Sequence, residues 1–237
     1  MVSQLLFAET FRILEKEEGW VRIRSTFDNY VGWVDAKQVL EVEEEAHQLI
    51  LRGSTVFALD LVRSASSVYK EMPVVMGSPL PFFRNNQFSL FDDKYKYDGP
   101  VLDLKNVEPS GDLITKVALK FLNAPYLWGG RTPLGVDCSG FVQAVFRFVN
   151  IQLNRDSRDQ AEQGFAVDGI EDSKTGDLSF FTNQRGKISH VGIMFNNNQI
   201  IHAHGCVRID PVDHRGIFNT DIEEYSHRYA FTKRLFK

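Results

Sequence analysis

Apolar and polar residues alternate with a period of two in three early segments. These are Phe11-Arg12-Ile13-Leu14, Trp20-Val21-Arg22-Ile23 and Tyr30-Val31-Gly32-Trp33-Val34, with turn residues at Glu18-Gly19 and Asp28-Asn29. Successive strand side chains point to opposite faces, so the alternation predicts short half-buried strands of a small β-barrel. Glu41 to His47 reads as a polar connector with at most one helical turn. Strand-like patterns resume at Thr55-Val56-Phe57, Val74-Val75-Met76, Phe88-Ser89-Leu90 and around Tyr95 and Tyr97. Gly77-Ser78-Pro79, Asn85-Asn86 and Asp98-Gly99-Pro100 break them, and residues 53–104 are expected to form a second small barrel.

The period changes after Gly111. Leu113, Val117, Ala118 and Phe121 recur at helical spacing, and Asn123-Ala124-Pro125 ends that helix. A Gly- and Pro-rich loop from Leu127 to Gly135 precedes a second helix with the apolar stripe Val142, Val145, Phe146 and Val149. Asp137 is its expected N-cap, which puts Cys138 in the first turn. Gly176–Phe181, Ile188–Phe195, Gln199–His204 and Arg228–Arg234 read as strands of one antiparallel sheet. Helices on such a sheet define an α+β domain.

The 237 residues are 43% hydrophobic, enough for one sizeable core plus smaller modules, and we place the boundaries at 1–45, 46–108 and 109–237. A net charge of -4 without a basic stripe argues against a nucleic-acid partner. Two cysteines, Cys138 and Cys206, make neither a disulfide framework nor a zinc motif, so a reducing compartment and no metal or organic cofactor are expected. Leu5-Leu6-Phe7-Ala8 is too short for the core of a signal peptide, and no stretch approaches the ~20 apolar residues of a membrane span. The expectation is a cytoplasmic protein without a membrane partner.

Candidate chemistry centres on Cys138. A thiol attacks as thiolate, and unpaired N–H groups at a helix start favour that anion and the oxyanion that follows. His190 lies on a strand whose opposite face carries Val191 and Ile193. If Asn196-Asn197-Asn198 is a hairpin turn, His202 and His204 project beside His190, and strand parity admits either as its orienting partner. Cys206, at a strand end, reads as structural; His47, His214 and His227 have no evident partners and default to surface positions.

Five segments carry a resemblance. Tyr126-Leu127-Trp128-Gly129-Gly130, Asp137-Cys138-Ser139-Gly140-Phe141-Val142, Gly176-Asp177-Leu178, Ser189-His190-Val191-Gly192-Ile193 and Ile201-His202-Ala203 are similar to the NlpC/P60 family of papain-like cysteine peptidases, across roughly residues 110–237. The resemblance implies Cys138 as nucleophile, His190 as general base, His202 as the group orienting it, and Tyr126 as a polariser of the scissile carbonyl. Tyr30-Val31-Gly32-Trp33 resembles the end of a bacterial SH3 domain, and the implied fold is α+β, a papain-like domain preceded by two SH3-like barrels.

The arrangement is most similar to the family's cytoplasmic recycling enzymes. These cleave the γ-D-glutamyl bond to meso-diaminopimelate or lysine in small murein peptides with a free N-terminal L-alanine. By that likeness Asp137, Ser139, Asp156 and Ser157 line the substrate pocket, with Asp137 reading the ammonium. Glu9 and Tyr30 are the SH3-side candidates, although Glu9 also reads as a solvated strand end. Two other readings compete: a secreted peptidoglycan hydrolase anchored by its SH3 modules, against which the missing signal peptide counts, and a non-catalytic murein-peptide binder, against which the presence of Cys138, His190 and His202 counts.

Overall fold

The computed structural model describes all 237 residues, and they divide into two compact units: Gln4–Val107, and Glu108–Lys237 together with Met1–Ser3. The N-terminal unit begins with β1 (Phe11–Glu17), β2 (Trp20–Ser25) and β3 (Val31–Asp35) in one antiparallel sheet. Val21, Ile23 and Ser25 are buried while Trp20, Arg22 and Arg24 face out, as the period of two requires. The expected connector is instead a three-turn helix, α1 (Glu44–Gly53). Its acidic residues are the first turn, where the macrodipole favours them, and His47 and Ile50 form its buried side. His47 is therefore not the surface residue expected.

Beyond α1, β4 (Val56–Ala58) and β9 (Val101–Asp103) pair with each other, and β5 (Val62–Ser66), β6 (Glu71–Val75), β7 (Gln87–Leu90) and β8 (Asp93–Lys96) form a four-stranded sheet in the order β6-β5-β8-β7. Its core contains Ala65, Val74, Phe88 and Tyr95. Phe88 and Tyr95 are directly opposed across β7 and β8, with rings stacked 5.0 Å apart. Strands β5 and β9 were not expected, and neither has clean alternation: β5 reads Val-Arg-Ser-Ala-Ser, and β9 is three residues long.

In the C-terminal unit, α2 (Gly111–Leu119) is capped by Ser110, and the hairpin β10 (Arg131–Thr132) and β11 (Gly135–Val136) lies inside the Gly-rich loop. There follow α3 (Cys138–Arg147), α4 (Ser157–Gln160), β12 (Phe165–Val167), β13 (Leu178–Thr182), β14 (Ile188–Asn196), β15 (Gln199–His204), β16 (Cys206–Asp213), β17 (Gly216–Asn219) and β18 (Glu224–Arg234). The sheet runs β12-β18-β13-β14-β15-β16-β17, and β17 also pairs with β18, so six of its strands close into a barrel. Closure buries both faces. Val191 and Ile193 lie on one side of β14, and Met194 packs with Phe181, Ile200 and Ile217 on the other. His190 thus stands opposite the face of Val191 and Ile193, as expected, and its own face is buried as well.

All ten residues of α3 are buried. A helix can lie this deep only if its backbone approaches its neighbours closely, and Gly140 provides that: a methyl group there would overlap the Gly130 carbonyl. No helix in the chain is long and apolar enough to cross a membrane.

Candidate active site

The N-terminus of α3 fixes Cys138. Asp137 has extended backbone geometry, and its Oδ1 accepts the Gly140 N–H at 2.7 Å, the expected N-cap. Its carboxylate has more to do. Oδ2 accepts the Gly129 N–H at 2.8 Å, which ties the Gly-rich loop to the helix start. Arg155 then donates to both oxygens, from Nη1 at 3.0 Å and Nη2 at 2.6 Å, a buried bidentate pair. Ser139 Oγ donates to Oδ1 at 3.3 Å and accepts from Arg155 Nη1 at 3.0 Å.

These contacts define the expected pocket wall. The charge of Asp137 is matched by Arg155, and the Ser139 hydroxyl is held between them. Asp156 differs: its carboxylate makes no capping bond, and surrounding packing raises its pKa, with Arg155 opposing and Asp159 and Asp137 reinforcing. Ser157 opens α4 beside it. Glu9 and Tyr30 belong to the N-terminal unit. Glu9 is buried and accepts the Leu6 N–H at 2.9 Å, so it is no solvated strand end. The Tyr30 N–H donates to Asp28 Oδ1 at 3.1 Å.

The two histidines come together through strand register. The turn between β14 and β15 is Asn197-Asn198, one residue shorter than expected, and a bulge between Met194 and Asn196 compensates, so Gly192 faces His202. His202 is then one diagonal step from His190, and the ring nitrogens His190 Nε2 and His202 Nδ1 are 2.9 Å apart. His204 does not pair with His190. It is exposed, with its ring edge-on to His227 at 4.8 Å.

Two residues of this cluster escaped the sequence reading. Asp210 on β16 is fully buried, with Oδ2 3.0 Å from His202 Nε2. His227 on β18, expected at the surface, stacks on His190 with centroids 4.0 Å apart and planes 24° from parallel. An acid and an arginine on alternate positions of a strand after the second histidine, Arg208 and Asp210, were the available signal for the first. Nothing in the pattern around His227 marked it.

Both ends of the expected proton transfer resist charge. Burial, then the proximity of Asp137, pushes the Cys138 thiol up to about 11, although N–H groups of Val191 and Ser139 bond the sulfur and pull the other way. Burial, then His227, His202 and His204, holds His190 well below the usual imidazole range. Burial also lowers His202, against the pull of Asp210. The Tyr126 backbone N–H is fixed on the Gly205 carbonyl at 2.9 Å. Its phenol is pushed up to about 12 by burial and by Cys138 and Asp137, so it stays a hydrogen-bond donor beside the thiol.

A buried cysteine at a helix start, N–H groups around its sulfur, and a histidine pair anchored on a carboxylate form the constellation of a thiol peptidase. Comparisons agree with the chemistry. Residues 123–224 match the NlpC/P60 family profile, and residues 1–39 match the profile of the bacterial dipeptidyl-peptidase SH3 domain. A Bacillus subtilis protein named gamma-D-glutamyl-L-lysine dipeptidyl-peptidase is 27% identical over 215 residues, covering 85% of this chain and 71% of that one. A Bacillus cereus protein of the same name is 27% identical over 252 residues, covering 94% and 73%. The crystal structure of a Bacillus cereus NlpC/P60 family protein, 24% identical, matches 99% of this chain and 81% of its own with a TM-score of 0.84, which is agreement of fold. A Haemophilus influenzae protein named "Probable endopeptidase" is 36% identical over 145 residues, 57% of this chain and 83% of that one. The chain belongs to the NlpC/P60 family and is a cysteine peptidase with N-terminal SH3-like strands.

Proposed function

We propose that the protein hydrolyses the γ-D-glutamyl bond to L-lysine or meso-diaminopimelate in small murein peptides with a free N-terminal L-alanine, as a cytoplasmic recycling enzyme. The observation that carries this reading is likeness over most of the chain, SH3-like strands included, to two proteins named for the γ-D-glutamyl-L-lysine bond. In the reaction, His190 takes the Cys138 proton as sulfur attacks the γ-carbonyl carbon of D-glutamate. The oxyanion forms against the N–H groups at the start of α3 and the Tyr126 hydroxyl. The C–N bond breaks, the departing amine takes the proton from His190, and a thioester remains. Water activated by His190 then hydrolyses it, releasing L-Ala-D-Glu and restoring the thiol. Asp137, as the likeness implies, and Asp156, whose carboxylate makes no capping bond, are assigned here as the acids of this unit that meet the alanine ammonium.

The test is incubation with L-Ala-γ-D-Glu-L-Lys, its meso-diaminopimelate counterpart and their N-acetylated forms, followed by mass spectrometry. Release of L-Ala-D-Glu from the free peptides only is expected. Equal cleavage of acetylated peptides sinks amine recognition, and activity surviving Cys138→Ala sinks the thiol mechanism.

A further inference from the structure

Three ring nitrogens of His190 and His202 have polar neighbours, and the order of protons along them decides whether the base can work. Asp210 anchors one end of this chain of bonds. Its carboxylate is inaccessible to water, yet it is held ionised: Arg208 Nη2 donates to Oδ1 at 2.9 Å, and Arg208 Nε is 2.7 Å from Oδ2. Burial alone raises the Asp210 pKa, but the bonds from His202 and Arg208 outweigh it and the net direction is down. Arg208 is anchored in turn by Asp221, with Nη1 donating to Oδ2 at 2.5 Å. An ionised carboxylate can only accept. His202 Nε2, 3.0 Å away, must therefore carry a hydrogen.

Burial disfavours a second proton on His202, so its Nδ1 is bare and accepts. The nitrogen 2.9 Å from it, His190 Nε2, must then be the donor. A neutral His190 with its proton on Nε2 has a lone pair on Nδ1. The reverse order would place Nε2 of His202, bare, against a carboxylate, two acceptors facing each other without water, and would turn an N–H of His190 toward the thiol. That arrangement has no base.

Resting on the proposed function only for its turnover assay, we propose that Asp210 is the positioning residue that sets this order. It holds the proton of His202 on Nε2, and through His202 it leaves His190 Nδ1 as the lone pair that receives the Cys138 proton. Arg208 and Asp221 keep the carboxylate in place and charged. Asp210 touches neither substrate nor thiol; it acts through two imidazoles, as the second partner of a catalytic histidine does in other hydrolases.

The test uses uniformly 15N-labelled protein near pH 7.5 and long-range proton–nitrogen spectra of the histidine rings, assigned with His190→Gln and His202→Gln. Both His190 and His202 are expected as Nε2–H tautomers in the unmutated protein. A proton on His190 Nδ1, or doubly protonated His202, overturns the proposal without recourse to any variant. Asp210→Asn can turn its amide N–H toward His202 and is expected to shift the ring populations toward Nδ1–H. Its kcat is expected to fall about 10²–10⁴-fold, with KM changed far less. Wild-type spectra or kcat within threefold of wild type in Asp210→Asn also overturns it. The spectra need no substrate, so failure to cleave murein peptides refutes the proposed function and leaves the tautomer result readable.

Discussion

Replacing Arg155 with methionine tests how far the fold depends on a counter-charge for the buried Asp137 carboxylate. Arg155 is 2% exposed and donates to both Asp137 oxygens, to Ser139 Oγ at 3.0 Å and, from Nε, to Ser3 Oγ at 3.1 Å. Methionine fills much of the volume but leaves a carboxylate buried without its counter-charge. Removing one partner of a buried pair costs about 3–5 kcal/mol. Asp137 retains Gly140 N–H, Gly129 N–H and the Ser139 hydroxyl, which places the expected loss near the lower end, about 3 kcal/mol. That is a large part of the ~5–15 kcal/mol of an ordinary domain and corresponds to a Tm lower by about 10 °C. Urea unfolding of Arg155→Met, Asp137→Asn and the double variant gives the coupling energy directly. In the double variant the loss should be smaller than the sum of the two singles by at least about 1 kcal/mol, because the charge left unpaired by the first change is gone. Arg155→Met costing under 1 kcal/mol, or strictly additive singles, would refute the reasoning.

The acid limb of kcat/KM should lie well below pH 6.5, since His190 must be neutral to accept a proton and its pKa is depressed; a limb at or above 6.5 contradicts this. Iodoacetamide at pH 7 should label Cys138 no faster than Cys206 in the empty enzyme, since the Cys138 thiol is pushed up to about 11, and mass spectrometry of the two peptides reads the ratio. His227, whose pKa falls to about 3 on folding through burial and then His202 and His204, is neutral in the fold and charged in the unfolded chain below 6.5, so its stability contribution is intact above 6.5 and is lost on acidification. Unfolding free energy should drop by about 2 kcal/mol from this group between pH 7 and pH 5, and His227→Phe, which keeps the stacking surface, should remove that share while His227→Ala also lowers kcat. Tyr126→Phe should lower kcat by about 10–100-fold with little change in KM if its hydroxyl meets the oxyanion, and an unchanged kcat assigns it to packing.

What was legible in the sequence followed from short-range rules. The cap at Asp137 needs only a carboxylate before an apolar stripe, and the pairing of β14 with β15 needs only parity about Asn197; both were readable, although the bulge that restores the parity was not. Parity left His202 and His204 equal, and the family resemblance, rather than the pattern, named His202. Strand β16 alternates over Val207-Arg208-Ile209-Asp210 before Pro211 interrupts it, whereas β18 opens Glu224-Tyr225-Ser226-His227-Arg228 without apolar alternation. Their polar positions serve the site: Asp210 faces His202, and His227 covers His190. At the start of β18 the polar positions that complete the site also interrupt the apolar signal of the strand. The pairing of Arg155 with Asp137 was hidden differently, by 18 residues of separation and a contact that no local period encodes.

Barrel closure also reverses one electrostatic expectation. A cysteine at a helix start, considered alone, is a thiol with a lowered pKa, because the dipole and free N–H groups favour the anion. Here the same helix is buried along its whole length, and its cap is a carboxylate adjacent to the thiol. Desolvation and the Asp137 charge exceed what the N–H groups of Val191 and Ser139 return. His190, within a cluster of imidazoles, cannot compensate by becoming a ready cation. Burial thus biases both the thiol and the imidazole toward their neutral forms. Proton transfer has to accompany attack on the carbonyl, when negative charge passes from sulfur to an oxygen that the N–H groups and Tyr126 can meet. On this account the orientation of His190 matters more than a preformed ion pair. The His202 bond backed by Asp210 and the His227 stack fix the orientation of that imidazole, and the same two neighbours disfavour its charged form.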